Sequence, residues 1–222
     1  MTLQEQFDTR GPWISKFQID GADSGGWFDV LHDDRAIRWL ATIPGGVRTI
    51  LECGTLEGGH TALLAMSPGV TRVVGLEARE ANIKKARFIH DLLGIQNSTF
   101  IQADLEQGVL NQFGDFDATW CSGLLYHLPH PVAFLKQLTT RYVFLGTHFS
   151  HARTVSHEGM RGRWYTEPGG LANVLGGMSP KSFWLTLDSL REVITECGYS
   201  IRAERVTTAP NGEWVDLYLE KP

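Results

Sequence analysis

The chain has 222 residues, of which 42% are hydrophobic and 20% charged. This is the composition of an ordinary globular protein and excludes a disordered one. The formal net charge of −5 argues against a protein held on nucleic acid by phosphate contacts. The longest uncharged run, residues 118–135, contains two prolines and two histidines, which excludes a membrane span there.

The first ten residues carry acids and no apolar core, so they predict no signal peptide. The three cysteines, Cys53, Cys121 and Cys197, are widely spaced and lie in or beside apolar stretches. A scattered, odd-numbered set of this kind indicates reduced thiols in a cytoplasmic protein. We therefore expect a cytoplasmic location and no membrane partner, and the net charge disfavours a nucleic-acid partner. A homodimer is a candidate assembly.

From residue 48 onward, short β-branched runs alternate with longer helical stretches. Strands are predicted at 48–53, 72–77, 98–103, 116–121 and 142–146. Helices are predicted between them at 59–66, 78–93 and 132–139. In the second helix, Ile83, Ala86 and Ile89 recur on one face, while Arg79, Lys84, Lys85 and Arg87 are expected to face solvent. Alternating strands and helices predict a parallel sheet covered on both faces.

The pattern changes near the C-terminus. A helix at about 186–197, closed by Gly198, precedes two strands at 200–207 and 213–220. The residues between these strands, 209–212, read Ala-Pro-Asn-Gly, which predicts an antiparallel hairpin. The expected fold class is α/β, doubly wound, with a mostly parallel seven-stranded sheet and a C-terminal antiparallel hairpin.

Two stretches fall outside this alternation. Residues 1–45 are predicted to form an N-terminal cap on the substrate side of a domain that spans residues 46–222. Within that domain, residues 147–181 form a lid-like insert, because a loop of this length in a compact domain is usually functional. Both stretches contain tryptophans, so neither is a linker.

Acidic residues follow three successive predicted strands, at the sheet edge where open parallel sheets bind ligands. Glu52 precedes a turn in which Gly54 permits a sharp bend and Gly58 permits the close approach of a ligand. Glu77 is placed to accept hydrogen bonds from two ribose hydroxyls, and Asp104 to accept one from an exocyclic amine.

One acid after each of three strands resembles the class I S-adenosylmethionine-dependent methyltransferases, and the resemblance extends from about residue 34 to residue 222. In that family the first loop is usually Asp/Glu-x-Gly-x-Gly-x-Gly, and Leu56 stands here at the middle glycine. The segment Gly-Leu-Leu-Tyr-His at 123–127 resembles a branch that includes wobble-uridine carboxymethyl-transferring enzymes and many small-molecule methyltransferases. The resemblance implies S-adenosylmethionine as cofactor. The residues it places at the cofactor are Glu52, Gly54, Thr55, Gly58, Glu77, Ala78, Asp104, Leu105 and Cys121.

A histidine is the natural base for methyl transfer to a hydroxyl at neutral pH. His148, at the end of the fifth strand, is the first candidate, and His127, after the fourth, is the second. His127 also suits the role of a histidine that orders its loop. His151 and His157 follow at a spacing found in some metal sites, but no metal is predicted because such spacings are frequent in loops. The candidate substrate-binding residues are Tyr126, Arg161, Arg163, Trp164 and Trp184.

The expected function is methyl transfer from S-adenosylmethionine to a small-molecule acceptor, at oxygen. Methylation at nitrogen, or of a tRNA base, is the alternative within enzymes. A non-catalytic adenosylmethionine-binding partner subunit is the alternative of another class. An NAD-linked reductase would require Gly-x-Gly-x-x-Gly and Tyr-x-x-x-Lys patterns, and the chain has neither.

Overall fold

The structure is a computed structural model that describes residues 1–152, 155–167, 173–209 and 212–222. The chain divides into two compact units, Met1–Gln102 and Ala103–Pro222. Within the described ranges, no helix has the length and apolar character needed to cross a membrane. The tip of the predicted C-terminal hairpin, residues 210–211, and Arg153 of the insert lie outside the described residues.

The first unit is built on three parallel strands in the order β3-β4-β5. Its elements are α1 (Leu3–Arg10), β1 (Gln18–Ile19), β2 (Ala22–Asp23), α2 (Asp34–Ala41), β3 (Thr49–Cys53), α3 (Gly59–Ala65), β4 (Arg72–Glu77), α4 (Glu80–Leu92) and β5 (Ser98–Gln102). Strands β3 and β4 are buried over almost their whole length, as expected of parallel strands covered on both faces. The N-terminal segment packs on α4 through a cluster that contains Phe7, Trp13, Phe17 and Ile89.

The second unit contains two sheets. Its elements are β6 (Ala118–Ser122), α5 (Pro131–Leu135), β7 (Tyr142–His148), β8 (Val155–His157), β9 (Met160–Thr166), β10 (Lys181–Leu185), α6 (Leu187–Glu196), β11 (Ser200–Ala209) and β12 (Gly212–Glu220). Strands β6 and β7 are parallel, and β12 runs antiparallel between β7 and β11. Strands β10, β9 and β8 form the second, antiparallel sheet.

The fold class is the predicted one: α/β, with a seven-stranded, mostly parallel sheet that ends in an antiparallel hairpin. Helix α6 begins where predicted because the hydroxyl of Thr186 accepts a hydrogen bond from Ser189 N at 3.2 Å. Gly198, at a φ of +80°, follows its end.

The insert at 147–181 contains strands where the sequence suggested a loop. Strand β7 continues to His148, and β8 and β9 form a hairpin that pairs with β10. Its first half alternates between buried Met160 and Gly162 and exposed Arg161 and Arg163, the pattern of a half-buried strand. The proposed lid function stays a prediction.

Candidate functional site

Glu52, the first predicted cofactor residue, ends up fully buried at the end of β3. Its carboxyl group accepts hydrogen bonds from the hydroxyls of Thr55, at 3.2 Å, and Thr61. Burial raises the pKa of Glu52 to about 8, and the charge of Glu77 acts in the same direction. The strand end is thus held by side chains of its own loop and helix.

The loop after β3 takes an unusual backbone conformation at the position where the family has its middle glycine. Leu56 has a φ of +51°, in the left-handed region that favours glycine. Its N–H donates to Glu77 at 2.9 Å, and Arg79 N donates to the other carboxylate oxygen at 2.9 Å. Each oxygen of Glu77 retains a lone pair, so the carboxylate can still accept a ligand hydroxyl. Burial raises the pKa of Glu77.

The glycines of this loop have a packing role that the sequence analysis did not foresee. A Cβ on Gly58 would lie 2.7 Å from the Cβ of Ala86, and one on Gly59 would lie 2.2 Å from Val30. Gly58 therefore permits the close contact with α4, whether or not a ligand also approaches it. Gly54, at a φ of +78°, makes the turn expected of it.

Glu57, in the same loop, joins the N-terminal segment to α4. Its buried carboxylate accepts hydrogen bonds from the N–H groups of Ile14, at 3.0 Å, and Ser15, at 2.7 Å. The ammonium of Lys85 lies 2.8 Å from the other oxygen and 4.9 Å from the ring centroid of Trp13. The expectation that Lys85 faces solvent is wrong, because its side chain turns inward to pair with Glu57.

The remaining cofactor candidates divide between the units. Thr55 is buried in the first unit, and the carbonyl of Ala78 accepts a hydrogen bond from Gln102. In the second unit, Asp104 caps the short helical turn Leu105–Gln107 by accepting Glu106 N at 3.0 Å. Leu105 and Cys121 are buried there.

Four aromatic side chains and two histidines of the second unit form what we call the aromatic cluster. Its members are Tyr126, His127, His148, Tyr165, Trp184, Trp214 and, on the edge, the guanidinium of Arg163. Three rings surround the His148 imidazole, with centroids at 4.7 Å (Tyr126), 5.2 Å (Trp184) and 5.0 Å (Trp214). The indole N–H of Trp184 is buried and has no hydrogen-bond partner among the described residues. The cluster therefore offers flat apolar faces and one unused donor.

His148 is held in one tautomer by the backbone. Its Nδ1 lies 2.9 Å from the carbonyl oxygen of Glu213, which can only accept, so Nδ1 carries the proton. The Nε2 atom of the neutral ring then has a free lone pair. Burial lowers the pKa of His148, and the charge of His127 acts in the same direction. The ring is therefore neutral at pH 7, as a general base requires.

His127, the second candidate base, is paired with a carboxylate that the sequence analysis missed. Its Nδ1 lies 3.1 Å from both oxygens of Glu167, which also accept from the Ser182 hydroxyl at 2.7 Å and from Gly177 N at 3.2 Å. Burial favours a higher pKa for Glu167, but the hydrogen bond and charge of His127 outweigh it and the pKa is lowered. Glu167 therefore orients the His127 imidazole through hydrogen bonds at Nδ1.

The candidate substrate-binding residues separate into two groups. Tyr126 and Trp184 belong to the aromatic cluster, and Arg163 lies opposite Trp184 on the neighbouring strand. Trp164 contacts His157 and Phe183 instead, at centroid distances of 4.7 and 5.2 Å. The exposed Arg161 is fixed through its N–H, which donates to the Ser189 hydroxyl.

Sequence reasoning had no means to find Glu167 and Trp214, which are far along the chain from their histidine partners. The separation is 40 residues for Glu167 and His127. The only local signal for Trp214 was its position in a predicted strand beside the turn at 209–212.

Known proteins share the fold of this chain. The family described as "Methyltransferase domain" matches residues 47–161, just over half of the chain. The N-terminal domain of EvdMO1, crystallised with SAH bound, superposes with a TM-score of 0.82 at 29% identity, covering 98% of this chain and 94% of that domain. A second crystal structure of that domain, in the presence of SAH and D-fucose, gives the same score.

Curated relatives are more distant. A ubiquinone biosynthesis O-methyltransferase of Acinetobacter baumannii is 26% identical over 134 residues, 57% of this chain and 56% of that protein. A tRNA U34 carboxymethyltransferase of Serratia proteamaculans is 26% identical over 147 residues, 65% of this chain and 44% of that protein. The chain thus spans about half the length of the curated relatives it matches.

The family match, the seven-stranded fold and the SAH-bound neighbour lead to one assignment. The cofactor is S-adenosylmethionine. The chain belongs to the methyltransferase domain family, and its fold is that of the class I S-adenosylmethionine-dependent methyltransferases.

Proposed function

We propose that the protein transfers a methyl group to a hydroxyl oxygen of a small, carbohydrate-like acceptor, with His148 as general base. The observation that carries the proposal is the state of the His148 ring. The ring is buried, and its Nδ1 carries the proton and donates it in a hydrogen bond to the Glu213 carbonyl. Its Nε2 is therefore free to accept a proton.

The composition of the aromatic cluster supports the proposal of a compact acceptor. Such an acceptor would have flat apolar faces that stack on the rings, and several hydroxyls. The rings of Tyr126, Trp184 and Trp214 exclude water from His148. The unused indole N–H of Trp184 supplies a donor for one acceptor oxygen. Burial raises the pKa of Tyr126 to about 12, so this phenol stays neutral. The EvdMO1 domain, studied in the presence of D-fucose, gives a sugar as the first probe.

The sulfonium of S-adenosylmethionine supplies the reactive methyl group when the cofactor is bound. In the first unit, we propose Glu52, Gly54, Thr55, Gly58, Glu77 and Ala78 as its binding residues. In the second unit, we propose Asp104, Leu105 and Cys121. The free lone pairs on Glu77 fit a ribose diol, which is the observation that supports this set.

In the proposed reaction, Nε2 of His148 takes the proton of the acceptor hydroxyl as its oxygen becomes nucleophilic. The Glu213 carbonyl then stabilises the imidazolium through its hydrogen bond to Nδ1. His127, oriented by Glu167, lies beside the same Tyr126 ring at 4.1 Å and is the second candidate base.

A tRNA acceptor is the second candidate function, and the match to the tRNA U34 carboxymethyltransferase favours it. The net charge of −5 is unfavourable for phosphate contacts. A non-catalytic adenosylmethionine-binding subunit is the third, and the two oriented histidines argue against it.

A turnover assay with methyl-labelled S-adenosylmethionine tests the proposal. D-fucose, other monosaccharides, catechol and bulk tRNA serve as acceptors, and mass spectrometry locates the new methyl group. We expect an O-methylated small molecule, with a KM for that acceptor that rises about 5- to 10-fold in Trp184→Phe, which keeps a ring but loses the N–H. Label in tRNA or on nitrogen, or no turnover with any acceptor, contradicts the proposal.

A further inference from the structure

Three side chains of the second unit, outside the aromatic cluster, bring metal-ligand atoms together. They are His130, His157 and Glu158, whose ligand atoms lie within 4.8 Å of one another. Nδ1 of His130 is 3.2 Å from Nε2 of His157, which is 3.9 Å from a Glu158 oxygen. With metal–ligand bonds of about 2.0–2.2 Å, tetrahedral ligands lie roughly 3.3–3.6 Å apart. Side-chain movements of about 1 Å or less would close the site.

The hairpin turn between β8 and β9 places two of these ligands. Glu158 has a φ of +51° and Gly159 a φ of +84°, a pair of left-handed residues for which asparagine and glycine are the usual choice. The Glu158 carboxylate accepts the N–H groups of Val132, at 3.1 Å, and Ala133, at 2.9 Å. The turn is thereby attached to α5, directly after His130.

A purely structural role explains Glu158 more fully than the two imidazoles, whose facing nitrogens share a single proton. The carbonyl of Pro129 lies 3.0 Å from Nε2 of His157, so a proton on that nitrogen is already used. The ring nitrogen of His130 then competes with Pro129 for a single proton. A cation between the two rings would displace that proton to solvent and bind the lone pair of each nitrogen. The His157 ring is fixed by its contacts with Trp164 and Phe183, and His130 is open to solvent.

We infer that His130, His157 and Glu158 bind one zinc ion, with water as the fourth ligand. Two imidazole nitrogens and one carboxylate suit zinc, whereas magnesium and calcium prefer oxygen ligands. The metal would fasten the β8–β9 hairpin to the segment that precedes α5. That hairpin carries Tyr165 of the aromatic cluster, so zinc would also steady the acceptor side.

This ligand set shares His157 with the histidine spacing noted in the sequence, but His148 and His151 are not ligands. His148 is committed to the Glu213 carbonyl. The side chain of His151 is 76% exposed and lies 3.9 Å from Glu213. The structure brings in His130 in their place, from a loop that the spacing argument did not include.

The test uses the full chain without an affinity tag, stripped with EDTA and dialysed. Zinc binding is measured by calorimetry and by metal analysis, and stability by thermal unfolding with zinc or magnesium. We expect one zinc per chain at micromolar Kd or tighter, a rise in Tm with zinc but not with magnesium, and unchanged binding in His151→Ala. His130→Ala should weaken zinc binding at least tenfold while the metal-free Tm stays unchanged, because His130 is exposed.

Absence of binding at 100 μM zinc would overturn the inference. So would equal zinc affinity in His130→Ala and wild type, or an equal Tm rise with magnesium. Glu158→Gln keeps one acceptor oxygen for the α5 N–H groups and sets an amide NH2 against the other N–H. It should lose zinc affinity and lower the metal-free Tm only modestly, and retained zinc affinity would exclude Glu158 as a ligand.

Discussion

The loop after β3 and the aromatic cluster satisfy their polar groups in opposite ways. In the loop, the carboxyl groups of Glu52, Glu57 and Glu77 each accept hydrogen bonds from groups of their own unit. In the cluster, His148 and His127 each have one nitrogen bound. The indole N–H of Trp184 has no partner in the described chain. The loop therefore holds its shape through its own hydrogen bonds, whereas the cluster has donors and acceptors available for a ligand.

This difference predicts which property a substitution in each region should change first. A change in the loop should first alter stability or cofactor affinity, because its polar groups hold the fold together. A change in the cluster should first alter turnover, because its unused atoms have no structural role. The following experiments test that division.

The largest effect is expected from Lys85→Met in the loop region. It removes the cation buried beside Glu57 and leaves the carboxylate with only the N–H groups of Ile14 and Ser15. Breaking a buried pair in this way costs about 3–5 kcal/mol of unfolding free energy. Urea denaturation measures it, with Lys84→Met, an exposed neighbour on the same helix, as the matched control. Equal stability of the two variants would show that the pair does not support the fold.

In the cluster, His148→Ala should lower kcat by about 10²-fold or more and leave cofactor affinity nearly unchanged. His148→Gln should not restore the rate, because an amide cannot take a proton. The loss should diminish at high pH, where the acceptor ionises unaided. Steady-state kinetics and calorimetry with S-adenosylhomocysteine provide the two readouts. A larger kcat loss in His127→Ala would transfer the base assignment to the His127–Glu167 pair.

Glu77→Ala tests the cofactor role of the loop. Loss of the acceptor for two ribose hydroxyls should weaken S-adenosylmethionine binding by about 1–3 kcal/mol, measured by calorimetry. Asp104→Ala should have a smaller effect, since one amine loses one partner. Unchanged affinity in Glu77→Ala would remove this residue from the cofactor site.

The smallest effect concerns pH. Because burial lowers the pKa of His148, the ring stays neutral to a pH below its ordinary 6.5. The rate should therefore persist as pH falls and decline only below that value, when Nε2 becomes protonated. The pH dependence of kcat measures this acid limb. A limb above pH 6.5 would mean that another group controls the rate.

Much of the fold could be predicted because it depends on local patterns. Buried strands such as β3 are recognisable in the sequence as short apolar runs. Helix α4 is recognisable from the recurrence of Ile83, Ala86 and Ile89 on one face. The insert was harder, because the alternation in β9 is short and one of its buried positions is Gly162, which has no apolar side chain. In the described part of the chain β9 pairs with β8 and β10, and this pairing leaves no pattern in the sequence of the strand itself.

The site residues that lie in one sequence motif could be predicted. Those that only folding brings together could not. Glu52 and Glu77 lie at the ends of predicted strands, so the predicted topology alone identifies them as candidate site residues. Glu167 becomes a partner of His127 only after the chain has folded. Lys85 looked like one charge on a solvated helix face, since no helical pattern reveals a buried anion on another segment.

The left-handed backbone of Leu56 has a consequence for how such loops are recognised. A leucine in this conformation costs about 1–2 kcal/mol relative to an ordinary one, and the Glu77 carboxylate, 21 residues away, helps to hold it there. The loop shape therefore depends on a contact between two positions that are 21 residues apart. Signatures that demand glycine at this point will overlook chains in which another residue adopts the same left-handed conformation.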